Sequence, residues 1–179
     1  LSESGKEFMS ALAEFEKSSI VAIIRTKTSA EGRSAAYALQ SAGITLFEFT
    51  TTTPDVFDLI EEFSAISGLT VGVGTAMSPA HVVSAKKAGG TFVFSPHTEP
   101  AVIKKTLDLN LLSVPGVATP TDVARALQAG AKVLKLFPAS HFGPAYLKAV
   151  RDPFPQAQWL ATGGVSVENI KDWFAAGAL

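Results

Sequence analysis

Two charged residues stand where a folded chain should not tolerate them. In "KVLKLFPAS", Lys132 to Ser140, the residues Val133, Leu134, Leu136 and Phe137 read as a strand buried on both faces, with Lys135 in its middle. In "TLFEFTTTTP", Glu48 lies between Phe47 and Phe49 in another such run. A buried lysine is either half of a structural ion pair, which is costly to bury, or an amine whose desolvation lowers its pKa and leaves it neutral and nucleophilic. Lysine is among the residues least often buried, which favours the second reading. Glu48 is correspondingly either the partner of Lys135 or a carboxylate with a raised pKa that moves protons near neutrality. The threonines that follow it supply hydroxyls, or are simply β-branched strand formers.

Other polar residues sit at comparable places. Thr75 ends "TVGVGT" behind Gly72 and Gly74, glycines that would let a ligand approach the backbone. Its hydroxyl could bind a carboxylate. Arg25 follows the first apolar run and suits bidentate binding of carboxylate or phosphate, or is an exposed loop arginine. In "LATGGVSVENI", Gly163 and Gly164 present bare amides before a helix, a favourable place for a phosphate. Ser166 either joins that site or only caps the helix. His81, His97 and His141 have no metal-ligand spacing, and surface or loop roles are expected. Trp159 and Trp173 read as packing residues. Phe142-Gly143-Pro144 is either a loop closing over a ligand or a helix start.

The elements that must position these groups alternate along the chain. Apolar runs at Ile20–Ile24, Thr45–Phe49, Leu69–Val73, Thr91–Ser95, Leu111–Val114, Val133–Phe137 and Gln158–Ala161 are separated by helical segments. The helices are expected at Ala30–Ser41, Pro54–Ser67, Pro79–Ala88, Glu99–Leu109, Pro120–Ala129, Gly143–Val150 and Val167–Ala175. Gly43, Gly68, Gly89, Gly130 and Gly177 mark their ends. Phe8, Leu12 and Phe15 recur at helical spacing and predict an additional amphipathic helix before the first strand. The recurring Ala-Gly unit and the absence of GxGxxG after the first strand favour a (β/α)8 TIM barrel over an open sheet. Only seven strand-helix units are found in the 179 residues, so the barrel is expected to lack its eighth strand and helix, within one domain spanning 1–179.

Composition narrows the function. The chain is 47% hydrophobic and 17% charged with a net charge of -1, which argues against nucleic acid or an acidic membrane as partner. It has no cysteine, excluding disulfides and thiolate chemistry. No run reaches the ~18 apolar residues of a membrane span, and the N-terminus does not read as a signal peptide, so a cytoplasmic protein is expected.

Together "FEFTTTTPD", "VGVGTAMSP", "FVFSPHTEP", "VPGVATPTD", "KVLKLFPAS" and "LATGGVSVENI" resemble the bacterial-type 2-keto-3-deoxy-6-phosphogluconate (KDPG) aldolases, from about Ile20 to the last residue. The resemblance implies a class I aldolase acting on a phosphorylated keto-deoxy sugar acid, with no cofactor and no metal. Lys135 would form a Schiff base, and Glu48 would be the general acid/base through a bound water. Thr75 would hold the pyruvyl carboxylate, and Gly163, Gly164 and Ser166 part of the phosphate. The products would be pyruvate and glyceraldehyde 3-phosphate, and the assembly a homotrimer. Many relatives have an arginine where this chain has Thr52, and Arg25 is its natural substitute. Close relatives cleave the galactonate isomer, and "FPASHFGPAYLKA" resembles that branch. Thr162 is more like the gluconate branch, which is the expected substrate. Alternatives are a different phosphate-binding barrel enzyme and a non-catalytic sugar-phosphate binder.

Overall fold

The computed structural model describes residues 3–18 and 20–179, with side chains from residue 11 onward. After α1 (Glu3–Ser18), strands and helices alternate: β1 (Ala22–Ile24), α2 (Ser29–Ser41), β2 (Leu46–Thr50), α3 (Val56–Ser64), β3 (Thr70–Gly74), α4 (Pro79–Lys87), β4 (Phe92–Ser95), α5 (Pro100–Asp108), β5 (Leu112–Val117), α6 (Pro120–Gln128), β6 (Val133–Leu136), α7 (Ala139–Arg151), β7 (Gln158–Ala161) and α8 (Ile170–Ala175). The seven strands form one parallel, barrel-like sheet in the order β1 to β7, as strand-helix alternation requires. Among the described residues β1 and β7 do not pair with each other. The Leu179 N–H donates to the Trp159 carbonyl at 2.8 Å, which sets the last residue beside β7. No helix among the described residues is long and apolar enough to cross a membrane.

Register divides each strand into two faces. Leu46, Phe92, Phe94, Leu112, Val114, Val133 and Leu160 point inward and pack together. Their neighbours Phe47, Phe49, Leu134 and Leu136 face the helices. Most of these inner residues open their strands, so the apolar plug fills the N-terminal end of the sheet. Helix α1 closes that end: Phe15 is buried against Phe92 at 5.0 Å, edge to face, and against Phe94 at 5.8 Å. Ala11 and Leu12 join the same cluster, while the side chain of Phe8 lies outside the described residues.

Several boundaries differ from expectation, three of them beside contacts distant in sequence. Strand β5 continues to Val117 because Gly116 and Val117 pair with Lys135 and Leu136. Helix α3 begins at Val56 rather than Pro54, after a turn in which the Thr51 hydroxyl donates to the Thr75 carbonyl. A helical turn from Ala139 precedes the expected Gly143–Val150 helix and joins it across a kink: the Ala139 and Ser140 N–H groups donate to the carbonyls of Thr162 and Gly163, both at 2.8 Å. Gly143 (φ 79°) is that kink, and Phe142 stacks on Tyr146 at 4.8 Å, which fits the helix-start reading of this tripeptide.

Because Phe15 anchors α1 to the inner plug, Phe15→Ala should destabilise the protein by ~3–5 kcal/mol. Denaturant unfolding would measure it; a loss below about 1 kcal/mol would mean that α1 does not close the sheet.

Candidate active site

Lys135 on β6 and Glu48 on β2 both point into the sheet's interior, above the apolar plug. Lys135 is 4% exposed and Glu48 is 1% exposed. No N···O contact within 4.0 Å joins them among the described residues, so they are not a direct ion pair. Glu48 Oε2 is buried with no hydrogen-bond partner. An unpaired carboxylate oxygen in such a place is expensive as an anion.

The electrostatics follow from burial. Desolvation raises the Glu48 pKa, opposed by the nearby charges of Lys135 and Arg25. Desolvation also lowers the Lys135 pKa, opposed by Glu48 and assisted by Arg25. The Lys135 Nζ lies 5.2 Å from the ring centre of Phe94 and 5.1 Å from that of Phe137. Those ring faces favour the ammonium form, but burial outweighs the opposing effects and both groups are pushed toward neutrality. A neutral amine beside a protonatable carboxyl can add to a carbonyl carbon and exchange protons with the adduct.

Arg25 and Thr75 stand at the rim. Arg25, exposed one residue beyond β1, donates from Nη2 to Thr75 Oγ1 at 3.0 Å. It is therefore oriented, not a free loop arginine. Thr75 has a φ of 57°, an unfavourable conformation for a β-branched residue. Three contacts hold it there: the Thr51 hydroxyl donates to its carbonyl at 2.7 Å, the following Ala76 N–H donates to Phe94 O at 3.0 Å, and Arg25 takes its hydroxyl. Thr53 accepts from the Thr26 N–H at 3.2 Å, tying β2 to β1. The threonines after Glu48 thus brace the rim, a role their composition did not disclose.

The glycines of β3 also differ from expectation. The space beside Gly72 and Gly74 is not open to a ligand: a methyl group would meet Phe92 at the first and Glu48 at the second.

Thr162, Gly163, Gly164 and Ser166 gather after β7, apart from Lys135 but linked to it through one ring. Phe137, which flanks the lysine, would lie 3.5 Å from a methyl group on Gly163. The consecutive positive φ angles of Gly163 (90°) and Gly164 (81°) require glycine, and a side chain at Gly164 would strike Ser140. Ser166 is not the N-cap of α8, which starts at Ile170. Its N–H donates instead to Asn169 Oδ1 at 2.8 Å, while Asn169 Nδ2 donates to the Gly164 carbonyl at 2.9 Å. Asn169 is a residue that sequence reasoning missed; only its spacing from Ser166 hinted at it. Nearby, a hydrogen bond with Ser166 holds the Glu168 carboxyl below its ordinary pKa, an anion that any bound phosphate must tolerate.

These four residues line a cavity of about 700 Å³ between the β1 and β7 edges. Its walls include Ile23, Phe94, Leu160 and Leu179, and Phe94 also faces Lys135. Among the described residues no group of three or more histidine, aspartate or glutamate side chains could hold a metal ion.

The two charges near Lys135 should move its reactivity in opposite directions. Glu48→Gln removes a charge that raises the lysine pKa, so carbamylation of Lys135 by cyanate should shift to lower pH. Arg25→Ala removes a charge that lowers it, so the profile should shift to higher pH. Peptide mass mapping reads both; shifts of the same sign would contradict this electrostatic account.

Residues 12–179 match the model of the KDPG and KHG aldolase family. The chain is 37% identical over 161 residues to a probable 2-dehydro-3-deoxy-6-phosphogalactonate aldolase of Rhizobium meliloti, covering 88% of this chain and 76% of that one. It is 36% identical over 140 residues to a 2-dehydro-3-deoxy-phosphogluconate aldolase of Pseudomonas aeruginosa, covering 77% and 64% respectively. The fold superposes with a TM-score of 0.83, at 25% identity, on KDPG aldolase from Legionella pneumophila with pyruvate captured as a covalent carbinolamine intermediate; 99% of this chain and 84% of that one are covered. These relatives are named as aldolases, which are carbon-carbon lyases. The chain belongs to the KDPG and KHG aldolase family.

Proposed function

We propose that this chain is a class I aldolase that cleaves 2-keto-3-deoxy-6-phosphogluconate to pyruvate and glyceraldehyde 3-phosphate. The observation that carries the proposal is the buried Lys135, depressed in pKa and not directly ion-paired with Glu48. The pyruvate carbinolamine of the Legionella protein supports imine chemistry for the fold.

The unprotonated Lys135 Nζ adds to the C2 keto carbon, and the resulting carbinolamine takes up a proton from solvent and loses water to give a protonated imine. Beside that cation the Glu48 carboxyl ionises to solvent, and the carboxylate, acting through a water, accepts the proton of the C4 hydroxyl. The C3–C4 bond breaks, its electron pair enters the iminium as an enamine, and the aldehyde departs. Glu48 then returns a proton to C3, and hydrolysis releases pyruvate and the free amine. Arg25 and Thr75 hold the keto-acid carboxylate, consistent with their hydrogen bond at the rim. Gly163, Gly164 and Ser166 offer backbone to the phosphate end, where Asn169 would yield the Ser166 N–H.

The unpaired β1 and β7 edges, with Leu179 already bonded beside β7, support placing an eighth strand-helix unit across the cavity. The same family reading carries a single domain, a cytoplasmic homotrimer and a place in sugar-acid breakdown.

The epimer depends on Thr162, buried at the cavity wall. Relatives of both kinds are known by name, one acting on the galactonate compound and one on the gluconate. Measured kcat/KM should favour the gluconate compound, and Thr162→Val should reduce that preference by roughly 5- to 150-fold, the worth of ~1–3 kcal/mol for an unmatched buried polar group. A preference for the galactonate epimer would reverse the assignment, and no cleavage of either would refute the aldolase reading. Arg25→Ala should raise the pyruvate concentration needed for half-saturation about 10-fold or more, as loss of a charged hydrogen bond would. An unchanged value would remove Arg25 from the carboxylate site.

A further inference from the structure

The last residue of β3, Gly74, has no backbone reason to be glycine. Its φ is not positive, it pairs in register with Thr50, and glycine inside a strand is less favourable than alanine. What its missing side chain leaves is room. The three atoms nearest to a methyl group at this position would be Oε1, Cδ and Cγ of Glu48, all in collision with it. The carboxyl group of β2 is seated in a notch that β3 leaves open.

Gly72, two residues earlier, makes a useful contrast. A methyl group there would meet the carbonyl oxygen and the ring of Phe92, parts of a neighbouring strand packed into the core. Substitution at Gly72 must therefore move backbone. At Gly74 the obstructing atoms end a flexible side chain, which can swing away while the sheet stays as it is.

We propose that Gly74 is a positioning residue: its notch holds the Glu48 carboxyl where it can exchange a proton with an adduct on Lys135. The proposal rests on the aldolase reading above. It separates two steps that otherwise fail together. Imine formation needs the Lys135 amine, whereas proton transfer at C3 also needs the carboxyl in its notch.

Pyruvate alone isolates the second step. On the protonated imine, Glu48 removes a proton from the methyl carbon, and the C–H electron pair neutralises the iminium nitrogen as the enamine forms. A deuteron from heavy water, delivered by the same carboxyl, returns to that carbon and restores the imine. Hydrolysis then releases deuterated pyruvate and the amine, with no net oxidation and no proton consumed.

The test compares the unaltered chain, Gly74→Ala, Glu48→Asp and the Gly74→Ala/Glu48→Asp double variant. Borohydride trapping of the pyruvyl adduct, mapped by mass, reads imine formation; proton NMR in heavy water reads exchange. Gly74→Ala should trap pyruvate at Lys135 as the unaltered chain does, yet exchange its methyl protons roughly 100-fold more slowly or worse, the scale of a lost general base. The double variant, with a carboxyl one methylene shorter, should exchange faster than the product of the two single effects allows. Full exchange in Gly74→Ala overturns the proposal, as does parallel loss of trapping and exchange in a folded variant. If Gly74→Ala does not fold, a folded and exchanging double variant upholds the notch; failure of both to fold overturns it. Absence of any adduct on the unaltered chain overturns the aldolase reading and this inference with it, an outcome distinct from all the others.

Discussion

Removing two ionisable groups from water is the constraint around which the molecule is arranged. Lys135 and Glu48 approach from β6 and β2, and neither meets the other closely enough to cancel its charge. The plug of Phe92, Phe94, Leu112 and Val133, closed by Phe15 of α1, lies beneath them and excludes solvent from that side. Desolvation, the largest influence on each, pushes the pair toward an uncharged state. That state is chemically primed, because the amine can attack and the acid can give up or recover a proton. Structural cost and reactivity here have one source.

The rim tunes this state. Arg25 is fixed by Thr75, and Thr75 is kept in a strained conformation by Thr51 and by the Ala76–Phe94 contact. A fixed guanidinium lowers the pKa of both buried groups, assisting burial at the lysine and opposing it at the glutamate. Phe94 and Phe137 then connect the lysine to the second part of the site. Phe94 is shared with the cavity wall, and Phe137 packs toward the Gly163 turn. A long substrate bridging the amine and that turn would pass over aromatic faces.

Much of this was legible in the chain because the strands are apolar on both faces. Against Val133, Leu134, Leu136 and Phe137, and against Leu46, Phe47 and Phe49, a single lysine and a single glutamate are conspicuous. Helix stops were equally readable, and all five glycines expected there have positive φ. What escaped the sequence was set by contacts between distant segments. The first turn of α7 depends on carbonyls of Thr162 and Gly163, the end of β5 on its pairing with Lys135, and the turn at Ser166 on the Asn169 side chain. Gly74 was conspicuous too, but its partner was not: one-dimensional spacing suggested room for a ligand where the protein places its own carboxylate.

Burial lowers the Lys135 pKa and so enriches the neutral, nucleophilic amine. The most direct test of this is the pH dependence of reductive trapping with pyruvate and cyanoborohydride, with the adduct located by peptide mass. The account predicts one pyruvyl adduct, on Lys135, whose formation rate is already near its plateau well below the ordinary lysine pKa of about 10.4. Adduct elsewhere, none at all, or a rate still climbing toward that value would contradict it.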